Sequence, residues 1–179
     1  MNRPQAPGPR PQKGSGHTSS ESSGLRPGAC GLGPAVTVTR LRARYADTDR
    51  MGVVYYANYL VWFEVARTEW LRATGWSYRE MEHDGVALPV IEAHCEYRQP
   101  AQYDDEVDVA AHATLVTPVR VRFDYEVTRA ADGRLAAVGY TVHAAVGADG
   151  RPRRLPARVV EMLPLGGAPD APRGRRGAR

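Results

Sequence analysis

Two carboxylates that precede an apolar helix pattern are the residues of this chain best placed to do chemistry. Asp47 and Asp49 follow a strand-like run, and a turn signal at 50–52 separates them from a long apolar segment that begins near Tyr56. The first N–H groups of a helix lack backbone acceptors and carry about half a positive charge, which suits an oxyanion. A carboxylate beside such a site can attack a carbonyl carbon or activate water. The alternative is that both aspartates only shape the turn and the approach to the helix.

The sequence lacks the signatures of most other active sites. It contains no GxSxG elbow, no glycine-rich phosphate loop, no HExxH motif and no paired Cys/His spacing. The five histidines are scattered, and we interpret them as structural, so we predict no metal site and no cofactor. Cys30 and Cys95 form no CxxC motif and imply no disulfide framework, which favours a reducing, cytoplasmic location.

Composition divides the chain into a folded domain and two tails. Residues 1–33 are rich in Pro, Gly, Ser and Gln, and residues 166–179 in Gly, Pro and Arg, so we predict that both are disordered. Each tail carries four basic residues and one acidic residue, which leaves the domain at 34–165 with a net charge of −2 although the whole chain has +4. We therefore expect no nucleic acid partner. We also predict no signal peptide and no membrane span, since no segment reaches roughly 18 apolar residues.

The helix patterns indicate one long buried helix and two short ones. Residues 56–74 repeat aromatic and apolar side chains at helical spacing, so their first half is expected to be buried nearly all round. The second half keeps a polar side that includes Arg67. A capping box of Ser77 and Glu80 predicts a short helix at 78–83, and another short helix is predicted at 156–162.

The strand patterns complete an α+β fold. One strand is predicted at 35–45, and four more after the helices, at 86–100, 106–116, 119–129 and 135–147. We predict that the last four form an antiparallel meander within a single sheet that curls around the long helix. Such a sheet has open edges, so dimerisation through an edge strand is expected.

The segment DTDRMGVVYYANYLVWFEVARTEWLR, residues 47–72, resembles the signature of the 4-hydroxybenzoyl-CoA-thioesterase-like branch of the hotdog-fold family. The positions that carry the resemblance are Asp47, Asp49, Gly52, Val54, Tyr55, Asn58, Tyr59, Glu64 and Arg67. The later PAQYDDEV, residues 100–107, resembles the strand-entry motif of the family. The resemblance covers residues 36–163. It implies a hotdog fold, a homodimer that can pair into a homotetramer, and hydrolysis of acyl-CoA thioesters without a metal.

The resemblance also implies roles for individual residues. Asp49 corresponds to the catalytic carboxylate, as nucleophile or general base, and the backbone N–H of Tyr56 would polarise the thioester carbonyl. Asp47 would shape the loop, with a simple turn role as the alternative. The residues that would contact the substrate are Gly52, Asn58, Tyr59, Glu64, Arg120 and Arg122.

Several of these assignments have a structural alternative. Asn58 can cap or tie the helix start, and Glu64 can point into the acyl pocket or be a buried polar group of the helix. Tyr56 stands where several bacterial relatives have histidine, so any role of that histidine is open here. Arg120 and Arg122 are candidates for the CoA phosphates, although a solvated strand face explains them equally well.

Two other functions stay open. A hotdog hydratase or dehydratase usually places a histidine beside its aspartate, and none lies near residues 47–58. A non-catalytic acyl-CoA-binding or assembly protein would bind acyl-CoA without turnover.

Overall fold

The computed structural model describes residues 36–163, apart from the side chains of residues 115, 116 and 158. The tails predicted to be disordered, 1–33 and 166–179, lie outside the described residues. The elements, in chain order, are β1 (Thr37–Arg42), a 3₁₀ turn (Tyr45–Asp47), α1 (Asn58–Ala73), α2 (Tyr78–His83), β2 (Val90–Tyr97), β3 (Glu106–Thr117), β4 (Arg120–Arg129), β5 (Leu135–Ala144) and α3 (Ala157–Met162).

The five strands form one antiparallel sheet in the order β1-β3-β4-β5-β2. The sheet confirms the predicted α+β class, but a meander of four consecutive strands is wrong. Only β3, β4 and β5 follow one another; both sides of β3 are occupied, by β1 and β4, so β2 pairs with the free side of β5 instead. The edges of the described sheet are therefore β1 and β2.

The core of the domain lies between α1 and the sheet. Of the core positions predicted from helical spacing, Ala73 at the end of α1 is exposed, and the others are at most 5% exposed: Tyr59, Trp62, Phe63, Ala66 and Trp70. Phe63 stacks on Tyr125 of β4, with ring centroids 4.3 Å apart. A Cβ at Gly139 of β5 would come within 2.4 Å of a backbone carbonyl oxygen and 2.6 Å of the Phe63 ring. Only glycine at this position lets the aromatic ring lie directly on the sheet.

The first half of α1 differs from prediction in two ways. The helix begins at Asn58 rather than near residue 56, because residues 55–57 form a turn closed by a 2.9 Å hydrogen bond from Asn58 N–H to the Tyr55 carbonyl oxygen. The helix is also not buried all round, since Leu60 and Val61 are 40% and 48% exposed. These two residues form an apolar surface of the single chain.

Arg67 was predicted to lie on the polar side of the helix, and this is wrong. It is buried, and its Nη1 lies 3.3 Å from Nε2 of the fully buried His143. Its Nε and Nη2 donate to the hydroxyl of Tyr78 at 3.2 and 3.0 Å. Arg67 is four residues after Phe63 and three before Trp70, so helical spacing places it on the core face. The guanidinium is accommodated there because polar side chains of α2 and β5 accept its hydrogen bonds.

The surroundings of His143 fix its tautomer and its charge. Nδ1 lies 2.9 Å from the Leu88 carbonyl oxygen, which can only accept, so Nδ1 carries the proton. Nε2 then accepts from Arg67 and from the Thr141 hydroxyl at 2.9 Å. Burial and the nearby guanidinium lower the pKa of His143 to about 4. The imidazole is therefore neutral in the folded protein at pH 7.

We predict that the free energy of unfolding falls as the pH is lowered from about 6.5 towards 4. In this interval the unfolded chain binds a proton at His143 and the folded chain does not, so acid favours unfolding. For a folded pKa of about 4, the loss at pH 5 is roughly 2 kcal/mol. Urea unfolding at pH 7.5 and pH 5 measures this loss of unfolding free energy in the wild type and in His143→Gln, whose glutamine side chain does not titrate. Equal losses in the two proteins would contradict the prediction.

Candidate active site

Asp47 anchors the loop that leads to the candidate site. Its buried carboxylate accepts hydrogen bonds from the backbone N–H of Arg44 at 2.8 Å, and from Nε and Nη2 of the same arginine at 3.2 and 2.8 Å. These bonds hold the pKa of the Asp47 carboxyl below its usual range. Its carbonyl oxygen accepts from Tyr55 N–H and from Nδ2 of Asn58, both at 2.8 Å. Asp47 thus ties the 3₁₀ turn to the start of α1.

Asp49 opens a tight turn that follows this anchor. Its backbone N–H donates to the Val53 carbonyl oxygen at 2.9 Å, and its carbonyl accepts from Gly52 N–H at 3.0 Å. Its Oδ1 accepts from Met51 N–H at 2.7 Å, as in an Asx turn. Oδ2 has no hydrogen-bond donor within residues 36–163. The carboxylate is therefore oriented by one oxygen and available through the other.

Gly52 allows this turn through its backbone conformation. Its φ of +77° is a conformation that side-chain-bearing residues rarely adopt. A Cβ built at Gly52 would meet no protein atom within 4 Å, so the backbone conformation, rather than crowding, is what favours glycine here.

Unpaired backbone N–H groups lie at the start of α1. In the described part of the chain, the N–H groups of Tyr56 and Ala57 have no acceptor, and the helix dipole adds partial positive charge there. Tyr56 precedes the helix, in the turn at 55–57, so the predicted donor lies slightly before the helix proper. The Tyr56 carbonyl oxygen, in contrast, accepts from the Tyr97 hydroxyl at 3.0 Å.

Asp49 and Tyr56 line the same cleft. Its volume is about 310 Å³, and its walls are Asp49, Val53, Val54, Tyr56, Tyr59, Tyr97, Arg98, Gln99 and Pro100. One side comes from the loop and α1, and the other from the end of β2 and the chain that follows it. The Tyr59 hydroxyl accepts from Ala101 N–H at 3.3 Å, and burial raises the pKa of this phenol, so Tyr59 joins the two sides.

Within one chain, several of the predicted substrate contacts do not line this cleft, among them Asn58, Glu64, Arg120 and Arg122. Asn58 ties the helix start, and Glu64 is exposed on α1. Arg122 is engaged by Asp124 and lies 3.8 Å above the Tyr140 ring. Arg120 pairs with Ala144, seven residues along β5 from the partner of Tyr97. At about 3.4 Å per residue this is roughly 24 Å from the cleft end of the sheet.

The wall formed by residues 97–100 was not identified from the sequence. These residues follow a strand pattern and precede the motif at 100–107, but no local pattern shows that they face the helix start, because that contact depends on the pairing of β2 with β5.

Metal ligands are a separate matter. Among residues 36–163, no group of three or more His, Cys, Asp or Glu side chains is arranged to hold a metal ion. The helices of this region are also too short or too polar to cross a membrane.

Comparisons with known proteins agree with the fold. The profile of the thioesterase-like superfamily matches residues 43–164. The acyl-CoA thioester hydrolase YbgC of Escherichia coli O6:H1 is 32% identical over 120 residues, which is 67% of this chain and 90% of that protein. YneP of Bacillus subtilis is 44% identical over 70 residues, 39% of this chain, and the match spans only 51% of YneP.

A solved thioesterase structure superposes on this fold. The crystal structure of Slr0204, a 1,4-dihydroxy-2-naphthoyl-CoA thioesterase from Synechocystis, superposes with a TM-score of 0.66 at 26% sequence identity, covering 71% of this chain and 95% of that one. The profile match covers more than half of the chain, and it contains both the loop at Asp49 and the wall at 97–100. The chain belongs to the thioesterase-like superfamily and is a hotdog-fold thioesterase.

Proposed function

We propose that the protein is a cytoplasmic enzyme that hydrolyses acyl-CoA thioesters to the free acid and CoA, with Asp49 as the catalytic carboxylate. The observation that carries the proposal is the shared cleft, which is lined by Asp49, with one carboxylate oxygen unpaired, and by Tyr56, with its backbone N–H unpaired. The names of YbgC and Slr0204 support the substrate class. The free thiol of Cys95 is consistent with a reducing compartment.

In the proposed mechanism, the Tyr56 N–H acts on the oxygen of the thioester carbonyl, and Asp49 acts on its carbon or on the attacking water. The thioester oxygen accepts from the Tyr56 N–H, which stabilises the negative charge that develops there. Asp49 Oδ2 either attacks the carbonyl carbon, forming a mixed anhydride that water then hydrolyses, or removes a proton from the attacking water. In both routes the carbon–sulfur bond breaks, and the CoA thiolate takes up a proton.

The cleft supports hydrolysis better than the alternatives. No histidine of the described chain lines it, so nothing favours a hydratase or dehydratase. For the CoA phosphates, Arg98 is better placed within one chain than Arg120 or Arg122, because it lies on the cleft wall. Only a measurement of turnover distinguishes an enzyme from a protein that binds acyl-CoA or serves in assembly.

We propose that the enzyme is a homodimer formed through β2, which can pair further into a tetramer. All eight residues of β2 are exposed or half-buried, on both faces of the strand. The other edge, β1, has one half-buried face and carries ion pairs of Arg40 with Asp108 and of Arg42 with Glu106, which protect an edge from pairing. The exposed face of α1 that holds Leu60 and Val61 also carries Glu64, so a second copy packed there would cover all three.

We predict that Asp49→Ala and Asp49→Asn each lower kcat about 10²- to 10⁴-fold, because a positioned acid–base group contributes that much. Release of CoA thiol is measured with short, branched, long and aromatic acyl-CoAs. Asp149→Asn is the matched control, since Asp149 accepts from Arg151 N–H in a similar turn outside the cleft. Full activity of both Asp49 variants would refute the mechanism, and absence of turnover in the wild type would favour the binding role.

For Asp47→Ala we expect a loss of about 1–3 kcal/mol in the free energy of unfolding, since a buried carboxylate that accepts several hydrogen bonds is removed. The kcat should also fall, because the turn at Asp49 loses its anchor. Asp108→Ala breaks a two-bond contact with Arg40 that is largely solvent-exposed, so it should cost at most about 1 kcal/mol. Urea unfolding compares the two variants, and equal losses would contradict the anchoring role.

A lysine placed on the proposed interface should produce monomers, because it buries a charge between apolar surfaces. Val61→Lys tests whether the exposed face of α1 belongs to the interface, and Ile91→Lys tests the same for β2. Val38→Lys, on the exposed face of β1, is the control. Light scattering after size-exclusion chromatography gives the mass at micromolar concentration. Dissociation by Val38→Lys alone would place the interface at β1 instead.

A further inference from the structure

We propose that Tyr97 is a positioning residue of the oxyanion site, acting through the peptide that joins Tyr56 to Ala57. The inference rests on the proposed function, and it adds a residue from β2 to a site that otherwise comes from the loop and α1. The main observation that supports it is a 3.0 Å hydrogen bond that the Tyr97 hydroxyl donates to the Tyr56 carbonyl oxygen, although the two residues are 41 positions apart in the sequence.

The ring of Tyr97 is held where its hydroxyl can make this contact. It packs edge-on against the buried ring of Tyr59, with centroids 5.2 Å apart and an interplanar angle of 77°. Tyr59 belongs to the first turn of α1 and also accepts from Ala101 N–H. Residues 97–101 and residues 56–59 are thus joined by one aromatic contact and two hydrogen bonds.

The turn at 55–57 needs such a restraint. The Tyr56 side chain is 59% exposed and makes a ring contact with Tyr55, while its own N–H has no acceptor in residues 36–163. A peptide unit is planar, so a hydrogen bond to the Tyr56 carbonyl fixes the direction of the Ala57 N–H on the opposite side. It also restrains the backbone at Tyr56, which links this peptide unit to the one that carries the Tyr56 N–H.

The hydrogen bond has an electronic effect as well. A carbonyl that accepts a hydrogen bond polarises its peptide and makes the N–H of the same unit a stronger donor. The Ala57 N–H, which belongs to that unit, is thereby strengthened at the positive end of α1. Tyr97 therefore restrains the turn that carries the proposed donor, the Tyr56 N–H, and strengthens the neighbouring Ala57 N–H as a donor.

Tyr97 can act as a donor over the whole working range of pH. Burial is the main cause that raises the pKa of its phenol to about 12. The thiol of Cys95 is kept protonated, since burial raises its pKa. The contribution of Tyr97 to the rate should consequently be independent of pH between about 6 and 9.

The test is Tyr97→Phe, which removes one hydroxyl and keeps the ring on Tyr59. We expect kcat to fall about tenfold, the effect of one net hydrogen bond, while KM changes less than twofold. The ratio of wild-type to variant kcat should stay constant from pH 6 to pH 9. Tyr103→Phe is the control, because its exposed ring packs on Tyr45 and its hydroxyl has no partner in the described chain; its kcat should equal that of the wild type.

A second measurement does not depend on turnover. In ¹⁵N–¹H NMR spectra, the Ala57 amide of Tyr97→Phe should move upfield and exchange faster with solvent, with other helix amides unchanged. Light scattering and thermal unfolding show whether the variant keeps the fold and oligomeric state of the wild type.

The outcomes separate this inference from the proposed function. An active, Asp49-dependent wild type with an equally active Tyr97→Phe would overturn the role of Tyr97 alone. A raised KM at unchanged kcat would also overturn it, since Tyr97 would then bind substrate instead. An unchanged Ala57 amide would remove the physical basis. A wild type without turnover would overturn both proposals.

Discussion

The carbonyl oxygen of Asp47 accepts two hydrogen bonds, from Tyr55 N–H and Asn58 Nδ2, and the geometry of the whole site depends on them. A carbonyl has two lone pairs, and here both bind the segment that enters α1. The carboxylate of the same residue is occupied by Arg44 on the other side. A single buried residue therefore fixes the distance between the turn that carries Asp49 and the unpaired N–H groups before the helix. This explains why an acidic residue that never faces the cleft stands two positions before the one that does.

Local patterns in the sequence were sufficient for the elements that depend on neighbours in sequence. The capping box of Ser77 and Glu80 marks the start of α2, and the aromatic spacing marks the buried face of α1. The turn with Gly52 and the lining of the cleft by Asp49 and Tyr56 agree with the motif at 47–59. These features follow from hydrogen bonds and side-chain periods within about ten residues, which a single sequence records directly.

What the sequence did not reveal depends on pairing over long separations. Nothing in residues 90–97 states that β2 pairs with β5 rather than β3, and so the wall containing Tyr97 and Arg98 was not predicted. Arg67 is a different case. Its spacing from Phe63 and Trp70 did place it on the core face, but its charge argued for solvent. The acceptors that resolve the conflict, His143 and Tyr78, come from elements 76 and 11 residues away.

The structural and chemical interpretations of Asp49 are not alternatives. A turn that used both carboxylate oxygens would leave no reactive atom, and a carboxylate with neither oxygen bonded would rotate freely. In this chain Oδ1 accepts from Met51 N–H, which restricts rotation of the carboxylate, and Oδ2 is left for a ligand. The Asx turn therefore removes part of the entropy cost of orienting the catalytic group before any substrate binds. A similar arrangement is found in the peptide unit between Tyr56 and Ala57, whose carbonyl oxygen is held by Tyr97 while its N–H has no acceptor in residues 36–163. In the carboxylate and in this peptide unit, the fold fixes one polar atom and leaves the other without a partner.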